Sequence, residues 1–133
     1  MPIAFNSLCP LLQVFDMPAS LRFYRDVLGF TVVASDRPGD DCDWCLLRQS
    51  RAELMLNTQY ERDERPPAPN LARRNAHRDT ALYLDCPDLE AASEHFRIHG
   101  IVAEGPVTRD YGMRQLTVDD PDGYVLCFQT AVR

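Results

Sequence analysis

Lysine is missing from this chain: all 14 of its cationic side chains are arginine. That absence excludes Schiff-base chemistry, pyridoxal phosphate anchoring and a phosphate-loop amine. The six glycines are too dispersed for a dinucleotide or phosphate loop, and no GxSxG marks a serine nucleophile. No stretch approaches the roughly 18 to 20 apolar residues of a membrane-spanning helix. The opening MPIAFNSLCP has neither the positive flank nor the apolar run of a secretory signal. Five cysteines (Cys9, Cys42, Cys45, Cys86, Cys127) are an odd, scattered set, which argues against a disulfide framework and for a reducing compartment. A soluble cytoplasmic protein is the expectation.

The excess of 20 acidic over 14 basic residues gives a net charge of −6. Long-range repulsion then opposes phosphate-rich partners, so neither nucleic acid nor an anionic membrane surface is expected. The one basic cluster, Arg73, Arg74 and Arg78, lies close in sequence to Glu61, Asp63 and Glu64. What remains is 133 residues, 45% of them hydrophobic, enough for a single domain with a substantial core.

The chain repeats its own order of signals. DMPASLRFYRDVLG (16–29) matches DLEAASEHFRIHG (88–100): each has an Asp suited to a helix N-cap and a Gly suited to a left-handed C-terminal cap. Leu21, Tyr24 and Leu28 in the first, and Leu89, Ala92 and Phe96 in the second, fall on one helical face. One strand-like run precedes each helix, at 9–15 and 81–86. Three follow each, at 30–35, 44–49 and 53–58, then at 101–105, 114–118 and 124–129. Module one spans about 5–58, a polar linker 59–79, and module two 80–130. The linker reads as an exposed connection, with a flap over the site as the alternative.

The segments VFDMPASLRFYRDVLGF and YGMRQLTVDDPDGYVLCFQ resemble the vicinal oxygen chelate superfamily, which includes glyoxalase, bleomycin-resistance and extradiol dioxygenase proteins. The resemblance implies an α+β fold of two βαβββ modules pairing around a central cleft, and a homodimer. Carried over position by position, the family's metal-ligand positions fall on Cys9 and Ala81, each seven residues before its capping Asp, and on Glu53 and Cys127. Only Glu53 is a customary ligand, so no metal and no cofactor are expected.

Alternation along the strands then predicts the side chains that face the cleft. These are Cys9, Leu11, Gln13, Glu53, Met55, Asn57, Tyr83, Asp85, Gln115, Thr117, Cys127 and Gln129. Leu12, Val14, Leu54, Leu56, Leu82, Leu84, Leu126 and Phe128 should pack beneath the helices. Apolar surface with a few polar groups suits a small-molecule site. Two carboxylates, Glu53 and Asp85, favour a neutral or cationic organic ligand, and Trp44 and Tyr83 offer stacking faces. The leading expectation is metal-independent binding, as in sequestration of an antibiotic or metabolite. The alternative is a glyoxalase-type lyase or isomerase, or another small-molecule enzyme, using Glu53 as base or metal anchor, with or without a divalent ion.

Other motifs read as structural. Cys42-Asp-Trp-Cys45 has redox spacing but leads into a strand rather than a helix. His95 and His99 share a helical face without an HExxH signature. Arg114 is expected to tether the neighbouring acidic turn.

Overall fold

Each half of the chain folds as its sequence signals require, one strand, one helix and three strands, in a computed structural model that describes residues 2–132. Two compact units divide after Arg65.

In the first unit, β1 (Leu11–Val14) leads into α1 (Met17–Leu21), and β2 (Thr31–Ser35), β3 (Trp44–Gln49) and β4 (Ala52–Thr58) complete a sheet of order β1-β4-β3-β2. Asp16 caps α1 by accepting from the Ala19 amide at 3.2 Å. The helix then widens into a π segment over Arg22–Val27, where Leu28 N–H reaches Phe23 O at 3.0 Å. The spacing alone predicts one regular helix with Leu21 and Tyr24 inward. Widening adds a residue per turn, which lets the adjacent Phe23 and Tyr24 both enter the core. Under the helix lie Leu12, Val14, Cys45, Leu47, Leu54 and Leu56, all buried.

In the second unit, β5 (Ala81–Asp85), α3 (Leu89–Ile98), β6 (Glu104–Thr108), β7 (Met113–Asp119) and β8 (Val125–Ala131) follow the same plan, with sheet order β5-β8-β7-β6. Asp88 caps α3 through the Ala91 amide at 3.0 Å, and Leu89 and Phe96 are its buried residues. Leu126 and Phe128 are buried with them, and Leu82 and Leu84 are half-buried.

Strand β6 begins three residues later than the sequence pattern predicts. Gly105-Pro106 reads as a break, but β6 is the edge strand, and an edge tolerates a proline where the ladder bulges, here between Glu104 and Val107. The polar linker also differs from a featureless connection. Its second half forms α2 (Leu71–Ala76) and a 3₁₀ turn (His77–Asp79), and both lean on the acidic turn before β8. Arg74 Nε donates to Pro121 O at 3.1 Å. His77 Nδ1 lies 2.8 Å from Asp122 O, and its ring stacks on Tyr124 at 4.1 Å. Arg78 pairs with Asp119. The expected tether of that turn is therefore Arg78. Arg114 reaches instead to Glu90 on α3, because its place in β7, next to Gln115, puts it on the helix side of the sheet.

Candidate functional site

Strand register sets the site residues in rows on the sheet face opposite each helix. In the first unit, Gln13, Asn57 and Trp44 stand side by side across β1, β4 and β3. The next row holds Leu11, Met55 and Leu46, and a third holds Glu53 and Arg48. Cys9 comes just before this sheet, where Met55 N–H bonds to Pro10 O at 2.8 Å. The second unit repeats the plan. Asp85, Gln129 and Gln115 form one row, Tyr83, Cys127 and Thr117 the next, and Ala81 and Val125 a third. The strand residues of this set thus share a sheet face within their own unit, with Cys9 just before the first sheet.

The polar groups on these faces are engaged unequally. Arg48 donates to Glu53 Oε2 from Nη2 at 2.7 Å and from Nε at 3.0 Å, so the glutamate carries a counter-charge. Asp85 has no ion pair among the described residues. Arg109 Nε donates to Gln115 Oε1, and Gln115 Nε2 donates to Gln129 Oε1, each at 3.1 Å. The sequence reading missed Arg48 and Arg109. The first was findable by counting back across the two-residue turn Ser50-Arg51, which places Arg48 opposite Glu53. The second follows only once the β6–β7 hairpin is registered, with Val107 opposite Gln115 and Thr108 opposite Arg114.

Thiols on and beneath these faces are held protonated. Burial, then the charge of Glu53, pushes the Cys9 thiol up. Burial raises Cys127, against opposing effects of the Thr117 hydrogen bond and the Arg109 charge. Cys42 is raised mainly by burial. Burial first, then its neighbour Cys42, pushes Cys45 up to about 12. A low-pKa redox pair is the opposite of this environment. All five cysteines are free. His95 and His99 lie on the exposed side of α3, with His99 Nδ1 2.9 Å from His95 O.

Within each unit, the residues at the family's chelating positions suit a divalent metal poorly. Met55 pairs with Leu11 as Cys127 pairs with Tyr83, and Leu11 and Tyr83 stand equally far before Asp16 and Asp88. The repeat counterpart of Cys127 is therefore Met55, two residues beyond Glu53. At these positions the first unit then has the thiol of Cys9 and the thioether of Met55, and the second the methyl of Ala81 and the thiol of Cys127, with no oxygen or nitrogen donor at any of them. Among the described residues, no three His, Cys, Asp or Glu side chains converge to hold an ion.

Each unit also contains a hollow among its described residues. A cavity of about 240 Å³ in the second unit is lined by Thr117, Glu104, Asp119, Arg78 and the apolar Ile101, Val102 and Val118. Thr117 is its one residue from the predicted set. A hollow of about 100 Å³ in the first unit lies among Phe15, Met17, Thr58, Tyr60 and flanking charged residues.

This paired βαβββ architecture with polar sheet faces defines a protein class, and comparison with known proteins agrees. The family model of the Glyoxalase/Bleomycin resistance protein/Dioxygenase superfamily matches residues 5–128, and the chain belongs to that family. Among solved structures it is similar to a protein from the mobile metagenome of V. Pseudocholerae, with 25% identity over 100% of both chains and a TM-score of 0.71. It is similar to TnmS3, an antibiotic binding protein from Streptomyces sp. CB03234, with 23% identity over 98% of this chain and 99% of that one and a TM-score of 0.70. The bleomycin-binding protein of Streptomyces verticillus, solved with copper(II)-bleomycin, shares 21% identity over 99% of this chain and 100% of that one, with a TM-score of 0.67. No curated protein matches the chain.

No helix among the described residues is long and apolar enough to cross a membrane.

Proposed function

We propose that the chain is a cytoplasmic small-molecule-binding protein that takes a planar, neutral or cationic organic compound without a resident metal and so sequesters an antibiotic or metabolite. The observation that carries this reading is the exchange of chelating positions for Cys9, Met55, Ala81 and Cys127 on faces that still combine apolar surface with hydrogen-bonding groups. Structural relatives that bind antibiotics and bleomycin support it. Asp85, without an ion pair, supplies the negative potential, whereas Arg48 offsets that of Glu53.

Calorimetric titration with metal-free bleomycin and with a planar aromatic cation such as acridine orange tests the proposal. Saturable heat from at least one supports it, and silence from a broad panel of such compounds counts against it. A second reading makes Glu53 the base of a lyase or isomerase. It is favoured by Arg48, which holds the carboxylate in place through Oε2 alone. About one metal ion per purified chain, with activity that needs it, would promote that reading.

We also propose a homodimer. The N-terminal arm carries Ile3, Phe5 and Leu8 at 84%, 79% and 86% exposure, an apolar run that a single chain leaves in water. Light scattering at twice the 15.2 kDa chain mass is the expected result.

A further inference from the structure

The second unit holds a polar relay with a direction built into it. Arg109 sits in the turn between β6 and β7, where its N–H bonds to Met113 O at 2.7 Å. Register pairs Val107 with Gln115 and Thr108 with Arg114, so Arg109 falls on the Gln115 side of the sheet. A guanidinium only donates. Gln115 must therefore turn its oxygen toward Arg109 Nε and its nitrogen toward the next group, which is the oxygen of Gln129. Gln129 is left with its Nε2 donors directed away from the relay.

Gln115 is only 5% exposed, and both ends of its amide are used, so its orientation is locked. The terminal nitrogens of Arg109 have no carboxylate partner among the described residues, although Asp110 is next to it in sequence. Arg48, on the other unit's face, differs in being neutralised by Glu53. The second unit thus offers hydrogen-bond donors at Arg109 and Gln129, beside the stacking surface of Tyr83, which is 61% exposed.

We infer that Arg109 and Gln129 hold a carbonyl oxygen of the bound molecule, and that Gln115 is a positioning residue that sets the polarity of Gln129; Asp85, paired with Gln129 in register, makes a neutral acceptor the better fit than a carboxylate. This rests on the small-molecule-binding reading and narrows it: the ligand carries an sp² oxygen acceptor on its ring system. A charge-assisted bond of this kind sets a preference of about tenfold or more.

Three matched probes test it: anthracene-9-carboxylate, anthracene-9-carboxamide and the ammonium form of 9-(aminomethyl)anthracene. The side-chain N–H signals of Arg109 and Gln129 are followed by NMR, and Trp44 fluorescence is recorded in parallel. The expected result is binding of the carboxamide about tenfold tighter than the ammonium, with both N–H signals shifting, and of the carboxylate no tighter than the carboxamide because of the neighbouring Asp85. Arg109→Gln, a change on an exposed turn, should remove most of that preference. Gln115→Glu keeps an acceptor for Arg109 but no donor for Gln129, whose amide then turns its oxygen outward, and selectivity should move toward the ammonium. If the buried carboxylate prevents folding, Arg109→Gln carries the test alone. Trp44 quenching with both N–H signals unmoved, or a wild-type preference for the ammonium, overturns this inference and leaves the binding reading intact. Silence of all three probes at Trp44 and at both N–H groups overturns the binding reading with it.

Discussion

Single residues carry much of the strain and protonation cost of this fold. Gly123 closes the acidic turn before β8 at φ +89°, and a Cβ added there would collide with the backbone oxygen of Arg74. Gly123→Ala should cost at least about 2 kcal/mol and loosen α2 from the turn, visible as a lower Tm. Cys45 makes a prediction about pH. Its thiol is raised from an ordinary value of 9.0 to about 12, so the unfolded chain releases that proton first as pH rises. The stability it contributes is whole below about pH 9 and is lost between there and about pH 12. Denaturant titrations across that window should show a falling midpoint, and Cys45→Ala should flatten the fall. An unchanged slope in the variant would assign the alkaline loss to other groups.

At the scale of elements, the alternation of Leu12 and Val14 against Leu11 and Gln13 was legible because a strand has a strict period of two, and the two sheet faces follow from it. What the sequence hid depends on contacts between segments. The π widening at Arg22–Val27 answers the demand of Phe23 and Tyr24 for the same core, which no propensity records. Arg48 and Arg109 acquire their partners across hairpin turns, so their roles emerge only when residues are counted on both sides of each turn. The loop 36–43 shows how such partners order a segment. Asp36 Oδ1 accepts from the amides of Asp43 at 2.8 Å and Trp44 at 2.9 Å. Arg25 grips Asp40 through both terminal nitrogens, at 2.7 and 3.0 Å, while Nε donates to Asp26 at 2.7 Å. These groups are partly exposed, so Arg25→Gln should cost about 1 kcal/mol or less. Its effect should be local: faster amide exchange in 36–43, with the strands unchanged.

The whole molecule is a duplicated βαβββ plan whose two halves have diverged in their polar chemistry. The first face pairs its arginine with a glutamate, and the second spends its arginine on a glutamine relay. Family membership explains the plan but leaves the chemistry to the residues, since one scaffold serves several unrelated activities. The central claim is that these faces bind an organic molecule with no resident metal. Trp44 is the sole tryptophan and lies in the row of Gln13 and Asn57, so its emission reports on that face alone. The most direct measurement is titration of that emission with metal-free bleomycin and acridine orange, repeated in excess chelator. The account predicts saturable quenching with the same midpoint in both series. Quenching that appears only when a divalent ion is added back would contradict it.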